Sequence, residues 1–160
     1  MTHPSLGLPP RDETAGFPEG ARRLRAARER LAVRALEHAV AADPTFRDRY
    51  DELGLRRLLH DAGVFLDRIA ASVSADEPAL TGRWADMVAV LFRRRRVPMD
   101  DLILLAEGLR RATASVLGPA ERQPADLAID DAIRVFRDIR RIGGDARKRN
   151  RLLSAIYKGP

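Results

Sequence analysis

The 160-residue chain has the length of one domain, with 45% hydrophobic residues, 32% charged residues and a formal net charge of +6. It contains no cysteine, which excludes disulfides, thiol nucleophiles and cysteine-held metals and suits a reducing cytoplasm. No run approaches the ~18–20 apolar residues of a membrane span, and no basic-then-apolar leader opens the chain. The expectation is therefore a cytoplasmic protein with no membrane partner. Aromatics make up only 5% of the chain, and Trp84 is its single tryptophan. A core built from Leu, Ile, Val and Ala suits helix packing better than sheet packing.

Residues 1–18, with four Pro, two Gly and no apolar period, read as a disordered arm. Pro18-Glu19-Gly20 punctuates the start of a first helix expected over Glu19 to Ala42. Six Arg stand against two Glu in residues 21–42. Asp43-Pro44-Thr45 is a stop and restart, and Gly54 is a candidate bend. Leu55, Leu59, Ala62, Leu66, Ile69 and Val73 then step by three and four along one helix face, which Leu58 and Phe65 widen. This stripe is broad enough for more than one partner helix. The run Ser74 to Pro78 breaks the pattern, with Ser74 or Asp76 available as a cap.

A third helix, Glu77 to Arg95, is expected to bury Leu80, Trp84, Met87, Val88 and Leu91 and to end in the cations Arg93 to Arg96. Val97-Pro98 opens a fourth, with Asp100 and Asp101 at its positive end, and Gly118-Pro119 closes it. A fifth starts at Gln123-Pro124, with Leu127, Ile129, Ala132, Ile133, Phe136 and Ile139 as its stripe. After Gly143-Gly144, a basic segment carries Leu152, Leu153, Ile156 and Tyr157 on one side. The fold class is all-α: a bundle of four to five long helices with a disordered arm and a short basic C-terminal helix. The domain reading is residues 1–18 as arm, 19–142 as helical domain and 143–160 as basic amphipathic segment.

Chemistry-bearing patterns are few. His3, His38 and His60 are far apart and outside metal-ligand spacings, the expected interior is aliphatic, and no metal or other cofactor is expected. Phosphate-loop, dinucleotide and serine-nucleophile motifs are lacking. The acid pairs Asp100-Asp101 and Asp130-Asp131 and their like read as helix-end or solvated charge, and the chain reads as no enzyme.

Two resemblances add to this. The segment Leu55-Arg56-Arg57-Leu58-Leu59-His60-Asp61, continuing through Gly63, Leu66 and Ile69, resembles the phospho-accepting helix of two-component histidine kinases. The resemblance implies His60 as a phosphoacceptor with Asp61 orienting it, in a phosphotransfer module phosphorylated by another protein. More broadly, Tyr50 to Leu117, with FLDRIA, a helix holding one Trp and the turn Arg96-Val97-Pro98 before a Leu-rich helix, resembles the helical N-terminal sensor domains of stressosome-type co-antagonist proteins. Similar bundles precede cobalamin-binding modules. This implies a non-catalytic, regulatory or dimerising role.

The remaining signal is charge. Residues 134–160 hold nine basic and two acidic side chains, including Arg137, Arg140 and Arg141 and the compact cluster Arg147, Lys148, Arg149 and Arg151, which has Tyr157 as the only aromatic near it. Such a cluster fits an acidic groove on a protein partner, or phosphates of nucleic acid together with the Arg-rich first helix. The absence of interleaved aromatics argues against a single-strand stacking platform. A regulatory protein-interaction module, as a homodimer, is the reading that residue pattern and resemblance share.

Overall fold

The computed structural model describes residues 12–143. They form six α-helices and one 3-10 helix, with no strand among the described residues. These are α1 (Pro18–Ala26), α2 (Arg28–Ala42), the 3-10 helix (Pro44–Arg49), α3 (Glu52–Ala75), α4 (Ala79–Arg94), α5 (Met99–Thr113) and α6 (Pro119–Gly143). The expected basic C-terminal helix, with Arg147, Lys148, Arg149, Arg151 and Tyr157, lies outside the described residues.

The wide stripe of the central helix does what its width implies. α3 packs against α1, α2, α4 and α6, and Leu58, Ala62, Phe65, Leu66, Ile69 and Val73 are buried. Phe65 contacts Trp84 of α4 and meets Phe136 of α6 edge-on, with ring centroids 4.9 and 6.3 Å apart. These are the tilted arrangements that aromatic quadrupoles favour. Between α3 and α4 the buried hydroxyls of Ser72 and Thr81 satisfy each other at 2.7 Å, as buried polar groups must.

α2 crosses α5 at close range. A Cβ on Gly108 would stand 2.2 Å from the Ala35 carbonyl oxygen, so only glycine lets the two backbones approach this far. At the other end of α3, Gly16 plays the same part. It donates its N–H to Ser74 O at 2.8 Å, Phe17 donates to Val73 O at 2.8 Å, and Ser74 Oγ donates to Glu13 O at 2.7 Å. A Cβ on Gly16 would lie 2.5 Å from Val73 O. Residues 13–17 fall in the stretch read as a disordered arm, yet they are tied to the end of α3. Backbone pairing, with no apolar period to announce it, orders them.

Other boundaries move for identifiable reasons. The first helix is divided at Ala27 (φ −98°, ψ 8°), yet Ala27 N–H still reaches Arg23 O and Leu31 N–H reaches Ala27 O. Ala27 is therefore at once the C-cap of α1 and the N-cap of α2. Gly54 is no bend. Asp51 caps α3 by accepting from Gly54 N–H at 2.7 Å. Asp76 is the left-handed residue that ends α3 (φ 52°) and is not the cap of α4. α6 begins five residues before Pro124, which sits inside it. Side chains support that early turn: Glu121 accepts from Gly118 N–H at 2.8 Å, and Arg122 donates to the Leu117 and Ala114 carbonyls at 3.2 and 2.6 Å.

Candidate interaction surfaces and a buried charge network

The start of α3, the end of α4, the start of α5 and the end of α6 meet at one end of the molecule. Arg95 after α4 pairs with Asp61 of α3, Arg140 of α6 pairs with Asp100 of α5, and Arg93 of α4 lies against Gly143. Positive charge that is scattered in sequence is thereby gathered.

The best-defined polar assembly there was read from sequence only as dipole complementation. Asp101 is 1% exposed. Arg49 of the 3-10 helix donates to it through two nitrogens, Nε to Oδ2 at 2.9 Å and Nη2 to Oδ1 at 2.7 Å. Tyr50 Oη donates to Oδ2 at 2.6 Å. The same guanidinium reaches Asp43 Oδ2 at 3.0 Å and Thr45 Oγ1 at 2.7 Å, and it lies 5.4 Å from the Phe46 ring centroid. Such a bidentate, fully bonded pair is the form in which buried charge is tolerated. It pins the 3-10 helix to the start of α5. The hydrogen bond from the Thr45 hydroxyl, followed by those from Arg49 and the Thr45 N–H, holds the Asp43 carboxyl down to about 2. A signal existed in the sequence: Asp101, Leu105, Gly108 and Ala112 share one face at steps of four and three, whereas Asp100 lies off it.

His60 is exposed on α3 and borders an open pocket of about 430 Å³ with Arg56, Arg57, Asp61 and Arg95. Asp61 Oδ2 lies 2.8 Å from Arg95 Nη1, off the line of a well-directed hydrogen bond. The His-Asp pair is thus brought to the surface with its acid held by α4. Among the other predicted contacts, Arg137, Arg140 and Arg141 are exposed on the last turns of α6. Arg140 pairs with Asp100, and Arg141 lies 3.7 Å from Asp138. In the Arg-rich first helices, Arg23 donates to Val116 O and pairs with Glu121, and Arg28 pairs with Asp67 at 3.0 Å. The Arg23 hydrogen bond, with that from Gly118 N–H, also holds the Glu121 carboxyl below its usual range.

Two apolar surfaces went unread in the sequence. Val33, Leu36, Val40, Leu55 and Leu59 line an open groove of about 420 Å³ between α2 and α3, with Glu37 and Arg47 at its rim. On α4, Met87 is 69% exposed, and Val90 and Leu91 are each 54% exposed. This corrects the expectation that Met87 and Leu91 are core. α4 meets α3 and α6 through Trp84, Ala85, Ala89 and Phe92, so the sector carrying Met87 and Leu91 is left uncovered among the described residues. Leu127 of α6, also expected in the core, is 48% exposed.

The structure defines an all-α protein with no helix, among those described, long and apolar enough to cross a membrane. No family model matches the chain, and no curated protein matches it. Among the described residues no group of three or more His, Cys, Asp or Glu could hold a metal ion.

Proposed function

We propose that the chain is a non-catalytic regulatory or sensor-like interaction module, built as a helical bundle whose long helices α2 to α6 surround a filled aliphatic core. The carrying observation is the set of large apolar side chains left on the surface, above all Val33 on the α2–α3 groove, Leu53 in the first turn of α3, and Met87, Val90 and Leu91 on α4. Contiguous apolar surface on a folded domain marks interaction sites. The likeness of Tyr50 to Leu117 to helical sensor domains points the same way, and a cytoplasmic setting fits the absence of cysteine. Single aspartate substitutions at Val33, Leu53, Met87 and Leu91 test this reading. At least one is expected to keep the helical circular dichroism of the parent and to lose a partner that co-purifies stoichiometrically with it. Retention of that partner by all four variants would overturn the proposal.

Phosphotransfer at His60 is a second reading, supported by the exposure of its imidazole on a long helix. Equal labelling of the parent and His60→Ala by a phosphorylated response regulator would end it. Nucleic-acid binding through the Arg-rich first helices and the C-terminal segment is a third, supported by the exposure of Arg22, Arg25, Arg30 and Arg34 and of Arg137, Arg140 and Arg141. Affinity for a generic duplex is expected to fall steeply with salt, and no binding at low salt would remove this reading.

A further inference from the structure

The uncovered face of α4 has a charge pattern that selects among possible occupants. Arg83, Met87, Val90 and Arg94 follow one another at steps of four, three and four, so they lie along a single line on the helix. Leu91 flanks that line on one side. All five side chains are exposed. The line is apolar in the middle and cationic at both ends, about 16 Å apart at 1.5 Å per residue. Arg83 pairs with Glu77 at 2.6 Å, while Arg94 and Arg96 have no ion pair among the described residues. The single acid of the helix, Asp86, borders the α4–α6 groove along with Arg83, Asp131 and Arg134.

A second copy of this helix is a poor occupant. Laid antiparallel about the midpoint between Met87 and Val90, it sets Arg83 against Arg94; laid parallel, it sets each Arg against itself. Like charges facing one another oppose association. Residues 144–160 of the chain are poor occupants for the same reason, since they carry five basic side chains and one acid. An anionic membrane surface would match the charge, but three apolar side chains offer little to insert into lipid.

We infer that the α4 face formed by Arg83, Met87, Val90, Leu91 and Arg94 docks an amphipathic helix of another protein, one with apolar anchors in the middle and carboxylates at both ends. This rests on the interaction-module reading above and gives the partner its chemistry. Arg96, just past the end of α4, holds a left-handed conformation (φ 60°), where glycine is the usual residue.

The test uses the full chain, isotope-labelled, with two synthetic helical peptides. Both carry leucines at i, i+3 and i+7; one has glutamates at each end and the other has lysines there. The acidic peptide is expected to shift the amide resonances of Met87, Val90, Leu91 and Arg94. Its affinity should fall about tenfold in Arg94→Glu, a charge reversal at an exposed site, and the lysine peptide should gain in that variant. Several results would overturn the inference: no perturbation by either peptide, equal binding of both, or perturbation at Leu36 and Leu59 instead. Shifts at α4 that grow with protein concentration alone would assign the face to a second copy. Shielding of Met87 that ends on removal of residues 144–160 would assign it to that segment, and preference for vesicles of anionic phospholipid would assign it to a membrane. If partner loss in the aspartate variants is confined to Val33→Asp or Leu53→Asp, this inference fails while the interaction-module reading stands.

Discussion

α3 and α4 carry apolar residues at the same three-and-four spacing, and the structure treats them differently. α3 lies among the five other α-helices, and its wide stripe is buried from Ala62 to Val73. α4 buries Trp84, Ala85, Ala89 and Phe92 and leaves Met87, Val90 and Leu91 outside. Periodicity states which residues share a face. How many sides of a helix find neighbours depends on where the chain places it, and α4 lies at the rim while α3 lies at the centre.

Substitutions break this comparison most directly. Leu66→Ala on α3 is expected to lower unfolding stability by about 3–4 kcal/mol through lost burial and a residual cavity. Met87→Ala on α4 should stay within about 0.5 kcal/mol. Urea unfolding followed by circular dichroism measures both, and equal losses would mean that α4 is covered.

The next largest effect concerns polar burial. Asp101→Ala should cost about 3 kcal/mol, because it leaves the Arg49 guanidinium and the Tyr50 hydroxyl without their shared acceptor. The neighbouring Asp100→Ala, which removes a half-exposed pair with Arg140, should cost under about 1 kcal/mol. Gly108→Ala should cost about 2–3 kcal/mol, because the new methyl must push α5 away from the Ala35 carbonyl.

Smaller effects follow at the margins of α4 and the 3-10 helix. Arg96→Gly removes strain at a positive φ and should stabilise by roughly 1 kcal/mol. For pH, the folded value of Asp43 lies below its unfolded value of 3.8. Its contribution to stability is therefore fully present above about pH 4 and is lost as pH falls toward 2. Thr45→Val removes the first of the bonds holding that carboxyl down. A pH titration of Asp43 by NMR should then show its midpoint moving back up toward 3.8.

Much of the architecture was legible because Pro and Gly act locally. Val97-Pro98 and Gly118-Pro119 mark the start of α5 and the turn before α6, where the backbone itself supplies the signal. The features that escaped reading depend on partners distant in sequence. The tie of residues 13–17 to α3 spans about sixty residues, and Glu121, which supports α6 ahead of Pro124, is paired with Arg23 of the distant α1. The pairing of Asp101 with Arg49 was half visible, since the face of Asp101 could be counted but its cation could not be chosen among 27 Arg residues. The exposure of Met87 had no local signal, because the residue types on α4 would serve equally well in a core.

Methionine gives the most direct test. The chain has three, and two of them, Met87 and Met99, report on the two kinds of surface, at 69% and 4% exposure. Methyl-labelled full-length protein titrated with a soluble paramagnetic probe should lose the Met87 signal early and keep that of Met99. Equal protection of the two methyls would contradict the open α4 face and with it the docking surface proposed for an acidic helix.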